Sequence, residues 1–502
     1  MPGVSISTAV RTGPVNTGTA PASTFFLIGE TERGIDNAPI LVTSLAEYET
    51  AFGGYEAGKH TYQQVRTFFE EGGVKAYISR ATASDSEAVK ASKALLAEGD
   101  AAGITLTAVG VGAWGNNLNV LVTNATTTYT ITIYYGGTTS PYQLFTGTYA
   151  TLNAGIEAIN SSTVLANYCT AALTSTANGA HQLAAFSVGA FTSGDDGTIT
   201  ASNFTSRLNG TSTITGFYPE LGAGCVAIPG LADGTGDDEA VWGPIAAHCA
   251  ANNRIGLLSF ASGVSVSTAV STSEAYGSSD DTNHEFIAFF HPWVKIPSGS
   301  GTTLTVSPEA YVAAIRSKTQ NQVGTWKPYA GNASEARFVN GTAIAIGRAD
   351  NDTLDAARVN AIRVINNTIR IYGARSHSTN TDQWRFITHR ETINYIADRC
   401  SSALESLLFS SLDGRKAIYA QVRSTIQGVM EPIRIAGGLY EGFDTNGKQI
   451  DYGYTIKIDD SINPLSQIES GLIKAQVGVR VSTVGDKIEV SVTKSNLTAT
   501  LV

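Results

Sequence analysis

The chain has little of what most secreted proteins and enzymes carry. Its four cysteines, Cys169, Cys225, Cys249 and Cys400, lie far apart with no C-x-x-C pair. That spacing argues against a disulfide framework and for buried thiols in a reducing compartment. Charged residues make up only 15%, which suits a subunit whose surface is covered by neighbours more than a free monomer. The net charge of −10 speaks against direct nucleic-acid binding, which needs a basic face. Met1-Pro-Gly-Val4 lacks the basic and apolar segments of a signal peptide. The most apolar short stretch, 286–293, is far too short for membrane insertion. A soluble protein made in a cytoplasm is the expectation.

Chemical motifs are missing too. There is no Walker A loop, no G-x-S-x-G elbow and no H-x-x-x-H pair. Gly110-Val-Gly112-Ala-Trp-Gly115 does spell G-x-G-x-x-G after a strand-like run at 104–109. A dinucleotide site needs a helix next and an acid about twenty residues on. Here a strand pattern follows, and no Asp or Glu occurs between Asp100 and Glu157. A tight turn is the better reading. The acidic clusters at 195–197, 233–239 and 280–281, and Asp444-Thr-Asn446-Gly447, do not match the ligand register of a Ca²⁺ loop. His284-Glu285 and His389-Arg390-Glu391 are the only histidines beside acids, and Glu391 reads as a helix cap. No catalytic residue, cofactor or metal ligand is expected, and the chain is read as a non-enzyme.

What is present is organised in blocks. Residues 1–22 form an extended arm in which Val4 and Ile6 alternate with Ser5 and Ser7, and Pro14 and Pro21 exclude a helix. A strand over 25–28 follows, then a helix over 44–52 opened by the capping box Ser44-Leu-Ala-Glu47. A second helix over 61–71 stops at Gly72-Gly73 and leads into a strand over 74–79. Between Lys93 and Arg207 there is no lysine or arginine, and threonine-rich strand patterns appear at 119–123 and 129–135. Such a charge asymmetry marks a separate module. Strands at 225–229 and 254–260 flank a helix beginning at Asp237, Asp238 and Glu239, which predicts a parallel βαβ unit. Another strand is expected over 284–290.

From about 350 a different module is expected. Leu354, Val359, Ile362 and Ile365 are placed on one helical face before a strand over 369–372. Thr388-His-Arg-Glu391 is a second capping box, followed by helical spacing from Ile393 to Leu408. Ile418, Val422, Ile426 and Val429 stripe a further helix ending before Gly437-Gly438. Arginines are dense from Arg358 to Arg434 among Asp355, Asp398, Glu405 and Glu431. They fit either a salt-bridged surface or a charged face toward a partner. Near the end, Ile473, Ala475, Val477, Val479 and Val481 alternate with polar residues, and the pattern resumes at Ile488, Val490 and Val492. Strands so near a terminus either close their own sheet or pair with another molecule.

The predicted class is therefore α/β and α+β multidomain. A mixed-sheet α/β domain (23–99 and 216–349) carries an inserted β-rich domain (100–215). An arm (1–22) precedes it, and a C-terminal α+β domain (350–482) with a strand arm (483–502) follows.

Several segments, in order, resemble the contractile tail sheath proteins of bacteriophages and related contractile injection particles. They are Met1-Pro-Gly-Val4, Phe25-Phe-Leu-Ile-Gly29 through Phe52-Gly53-Gly54, and Phe68-Phe69-Glu-Glu-Gly72-Gly73-Val-Lys-Ala-Tyr77 with Arg80. Further along are Ala113-Trp114-Gly115-Asn116, His291-Pro292-Trp293-Val294, Ser307-Pro308 and Trp326-Lys-Pro328. Tyr372-Gly-Ala-Arg375, Trp384-Arg-Phe-Ile-Thr-His-Arg390 and Asn463-Pro464 complete the set. The likeness omits about 120–210, and His389 departs from a basic pair at that position in relatives. The resemblance implies a homo-oligomeric sleeve around a tail tube in a virion tail assembled in the host cytoplasm. Baseplate and tail terminator proteins are the further partners it implies. It also implies contraction that drives the tube through a cell envelope, and strand exchange through the arms carrying Val4, Ile6, Ile488, Val490 and Val492. A static shell protein and a multidomain hydrolase are the rival classes.

Overall fold

The computed structural model describes residues 23–84, 87–100, 102–136, 141–230, 238–277, 283–298, 301–412 and 414–486. The chain is an α/β multidomain protein with two compact units. One comprises Met1–Thr325 with Tyr329–Asp398, the other Trp326–Pro328 with Arg399–Val502.

The first unit is built on an eight-stranded mixed sheet. In spatial order its strands are Thr368–Tyr372, Val359–Ile365, Ile287–His291, Ile255–Ser259, Gly224–Ala227, Thr24–Gly29, Ala76–Arg80 and Ile40–Val42. The six central strands are parallel and the two outer ones antiparallel. Thr-Phe-Phe-Leu-Ile-Gly is buried at every position, as a strand covered on both faces must be. Phe25 and Leu27 join a core with Val65, Phe68 and Tyr311 on one side. Phe26 and Ile28 join Trp242, Phe289 and Leu354 on the other.

The helices start and stop where the sequence directs. Ser44 caps Leu45–Phe52, its side chain accepting from the Glu47 N–H. The Glu47 carboxylate bonds the N–H and hydroxyl of Thr43 instead of closing the expected box on Ser44. Helix Thr61–Glu70 ends before Gly72, which adopts φ +100°, a conformation a β-carbon resists. Strands Gly224–Ala227 and Ile255–Ser259 flank helix Asp238–Ala251 and pair in parallel, as the βαβ expectation required.

Two expectations are corrected. Val359, Ile362 and Ile365 lie on a strand, not a helix, because helix Arg348–Ala356 ends first and Arg358 turns the chain at φ +63°. That strand extends the large sheet, and the compact unit runs on to Asp398, past the sequence division at 350. Thr388 and Glu391 are not a cap. Both are buried inside helix Ile387–Leu404, and the Glu391 carboxylate is spent elsewhere.

Residues within 91–191 have their own core. A four-stranded antiparallel sheet, ordered Phe186–Ala190, Leu118–Asn124, Tyr129–Tyr135 and Tyr142–Tyr149, is accompanied by a three-stranded one. The second sheet is ordered Ser92–Leu96, Gly103–Ala108 and Cys169–Leu173. Val120, Ile131, Ile133, Ile104 and Leu106 face one another between them, and helix Leu152–Ser161 adds Leu152 and Ile159. By contrast, Phe204 and Leu208 of helix Ala201–Asn209 belong to the core of the large sheet. The chain leaves and re-enters the large-sheet region side by side. Val89 and Asp195 exchange both backbone hydrogen bonds, at 2.9 and 3.1 Å.

The second unit is centred on helix Ala417–Ile435, whose Ile418, Val422, Ile426, Met430 and Ile433 are buried. Met430 takes the place expected for Val429, which is half-buried. Two small antiparallel pairs accompany it, Gly442–Phe443 with Gln449–Asp451 and Tyr454–Lys457 with Gln476–Val479. Gly438 is needed for close approach, since a β-carbon there would meet the Trp326 ring at 2.7 Å.

Candidate functional site

The alternating segment at 473–481 has the expected character and an unfinished edge. Gln476–Val479 pairs with Tyr454–Lys457, Tyr454 opposite Val479. Beyond it, Arg480 N–H donates to Gly453 O and Arg480 O accepts from Tyr440 N–H, both at 2.8 Å, while Ser482 N–H reaches Gly438 O at 3.0 Å. In an antiparallel ladder, alternate residues point their backbone groups to opposite edges. The even-numbered residues are therefore satisfied within the unit. Val477, Val479 and Val481 turn their N–H and C=O groups outward, where among the described residues no strand lies. Their side chains are only half-buried.

A two-stranded pair is marginal on its own in water. Nine large apolar side chains among the described residues of this unit are exposed, among them Phe409, Ile435, Phe443, Ile450 and Leu465, the last at 78%. A monomer rarely displays so much apolar surface in one small module. Val4, Ile6, Ile488, Val490 and Val492 all lie outside the described residues. The last described residue, Asp486, is five positions beyond Val481.

The dense arginines mostly clamp the protein internally. Arg375 grips Asp355 through two bonds at 2.6 and 2.7 Å. Arg434 bridges Glu431 and Glu441 at 2.8 and 2.7 Å. Arg390 lies over the rings of Phe286 and Trp384 at 4.3 and 4.7 Å. His389 is half-buried, with Nδ1 3.4 Å from Gln383 O. Sequence reasoning missed the partner of Glu391. It receives Arg316 Nε at 2.5 Å and the Gln320 amide at 2.9 Å in a fully enclosed site. Arg316 lies 75 residues away, so no local spacing pointed to it.

One constellation has the distances of a nucleophile relay. Ser273 Oγ is 3.0 Å from His377 Nε2, and His377 Nδ1 is 3.1 Å from His284 Nδ1. Ser273 and His377 are wholly buried, however, and the serine hydroxyl donates to Ala357 O at 2.7 Å. No substrate reaches that oxygen, and the group acts as packing. Burial, with Arg358 and His284 nearby, pushes His377 down to about 3.

A half-open cleft of ≈ 340 Å³ is lined by Glu32, Glu56, Lys59, Trp114, Tyr135 and Asp196 among others. Its carboxylates are largely engaged already. Glu32 accepts from Tyr135 Oη and Gly54 N–H, and Glu56 pairs with Lys59 at 2.8 Å. Beside it, Gly110-Val-Gly112-Ala-Trp-Gly115 forms a turn and the short 3₁₀ helix Ala113–Asn117, followed by a strand. A β-carbon on Gly110 would collide with Gly34 O at 1.9 Å. These glycines permit close backbone packing, which is the turn reading.

No described helix is long and apolar enough to cross a membrane. No family model and no curated protein matches the chain in sequence. Solved structures do share its fold. A chain of the anti-feeding prophage baseplate aligns at TM-score 0.55 and 15% identity, covering 99% of both chains. The anti-feeding prophage helical sheath in its contracted state aligns at 0.53 and 14%, again over 99% of both. The sheath tail protein of Listeria innocua aligns at 0.58 and 12%, over 87% of this chain and 89% of that one. The fold is that of tail sheath proteins of contractile injection systems.

Proposed function

We propose that this chain is a structural, non-enzymatic subunit of a contractile tail sheath. It polymerises as a helical sleeve around a tail tube and contracts to drive the tube through the host cell envelope. The observation that carries this reading is the match over 99% of the chain to a helical sheath in its contracted state. The outward edge at Val477, Val479 and Val481 and the exposed apolar residues of the second unit support it, because both call for a covering neighbour.

In this reading residues 1–22 and 483–502 are arms. Val4 and Ile6, and Ile488, Val490 and Val492, add strands to adjacent copies. Residues 23–90 with 194–398 form the middle domain, 91–193 the outward insert and 399–482 the assembly domain. The tail tube, baseplate and tail terminator proteins are the partners, with assembly in the host cytoplasm. No nucleic acid is bound directly and no membrane is entered.

A strand of about five ladder bonds, at roughly 1 kcal/mol net each, links neighbours by a few kcal/mol. Several such links per subunit act cooperatively. Energy is stored if the extended sleeve is kinetically trapped and relaxes by rigid-body rotation.

Negative-stain microscopy of the purified chain tests the reading. Tubes in two states, long and narrow or short and wide, are expected. A flat single lattice, or a monomer at every concentration, would sink it. Deleting 486–502 is expected to leave a folded monomer that forms no tubes. Normal tubes from that truncation would remove the role given to the C-terminal arm.

A further inference from the structure

Arg254 is fully buried, and carbonyls rather than a carboxylate hold its guanidinium. Nη1 donates to Phe217 O at 2.5 Å, Nη2 to Tyr218 O at 2.8 Å and Nε to Gly222 O at 3.0 Å. Its flat face lies 3.9 Å from the Phe26 ring centre. One side chain thus ties the 217–222 segment, the return path from helix Ala201–Asn209 to the large sheet. Nη1 also lies 2.9 Å from His248 Nε2. A guanidinium only donates, so Nε2 must accept. The other ring nitrogen, Nδ1, is then the protonated one and donates to Asn209 Oδ1 at 2.7 Å. Asn209 is the last residue of the helix Ala201–Asn209. The contact network therefore requires a neutral imidazole in a single tautomer.

We propose that His248 and Arg254 form a proton-gated clasp. When His248 takes a proton, the 217–222 segment and the end of helix Ala201–Asn209 are released. The new proton can sit only on Nε2, pointing into the guanidinium. It removes an acceptor and places two cations about 3 Å apart in a site closed to water, where charges are poorly screened.

Helix Asp238–Ala251 contributes the Cys249 thiol, which burial holds in its neutral form. Helix Ala201–Asn209 contributes Asn209, and its Arg207 is turned away onto Asp36 O and Thr82. The 217–222 segment carries Glu220, which is exposed. The Thr24–Gly29 strand contributes only Phe26. Helix Ile387–Leu404 supplies Asn394, bonded to Arg254 O, and Asp398, whose field favours the charged guanidinium. Arg254 therefore keeps its charge, and the histidine is the group that changes. Burial and Arg254 push His248 down to about 3, whereas a released imidazole titrates near its ordinary value of about 6.5.

Between those values release gains about tenfold per pH unit as pH falls. Hydrogen exchange of the full chain, read by mass spectrometry at pH 7.5, 6.0 and 5.0 and corrected for intrinsic rates, measures it. Protection across 217–222 is expected to fall about tenfold per unit below pH 6.5, with residues 310–315 of the buried helix Glu309–Gln322 still protected. H248Q offers an amide oxygen to Arg254 and an amide N–H to Asn209, so it is expected to stay protected without the pH slope. A flat wild-type profile, an equal slope in H248Q or equal loss at 310–315 overturns the clasp. If H248Q does not fold, ¹⁵N-histidine spectra of the wild type decide. A His248 ring protonated at Nδ1 alone at pH 7.5 supports the clasp, and a proton on Nε2 at that pH refutes it.

Discussion

At the scale of single residues, the enclosed Arg316–Glu391 pair is where stability is most exposed to change. Burial pushes the Glu391 carboxyl up, while the guanidinium at 2.5 Å and the Gln320 amide pull it down. Burial also disfavours the charge on Arg316, but Glu391, together with Cys225 and Tyr329, more than offsets this. Removing one partner strands a charge without water, a loss of about 3–5 kcal/mol. Glu391→Ala should therefore lower the urea midpoint sharply, while Arg316→Met with Glu391→Leu recovers most of it. A single-mutant loss below about 1 kcal/mol would mean that water reaches the site.

The buried histidines set the acid limit of the fold. Burial lowers His291 to about 4, and burial with Arg358 and His284 lowers His377 to about 3. A depressed histidine contributes its full stability above about pH 6.5, and that contribution is lost as pH falls toward the folded value. Each costs up to about 1.4 kcal/mol per pH unit in that window. Urea melts at pH 7.5 and 5.0 should differ accordingly. Equal midpoints at the two values would contradict neutral burial.

Among elements, the outward edge near residue 479 makes the sharpest forecast. Val479 offers its N–H to the side that no described strand occupies, so Val479→Pro removes a donor that no described strand uses. Proline is tolerated on a strand edge with that orientation. The variant is expected to melt within about 1 kcal/mol of the wild type yet to assemble poorly by sedimentation. Poor folding with intact assembly would reverse the assignment of edges. Ser44→Ala, by contrast, should cost about 1 kcal/mol by loss of the N-cap and leave assembly alone.

The sequence was legible where one rule dominated locally. The strand at Thr24–Gly29, the helix stop at Gly72 and the turn at Gly110–Gly115 followed from short-range chemistry. It misled where tertiary context decided. Val359, Ile362 and Ile365 fit a helical stripe because the strand is buried on both faces over 359–362 and shows no alternation there. Glu391 fitted a capping box because its true partner is remote in sequence. The outward edge was visible only as period-two spacing, since its other side depends on Gly438, Tyr440 and Gly453 being brought alongside.

At the scale of the whole molecule, the distribution of cores decides which part can be removed. Residues within 91–191 pack on one another, while Phe204 and Leu208 belong to the large-sheet core. Cutting 120–205 would strip the latter core of Phe204 and leave Ile104 and Leu106 uncovered. Replacing 91–193 with a short Gly-Ser linker is expected to give a soluble subunit that still assembles. Aggregation of that product would show that the charge-poor module is required for folding.

The paired strands at Val89 and Asp195 carry a consequence for engineering. Backbones that exchange both hydrogen bonds stand only about 5.5 Å apart, the separation at which many independent domains present their own two ends. The position is thus a ready socket. A foreign domain with adjoining termini, spliced between Val89 and Asp195, would be held by two tethers at a fixed point of each subunit. If the subunits stack as proposed, it would be repeated along the sleeve at regular intervals as an ordered display.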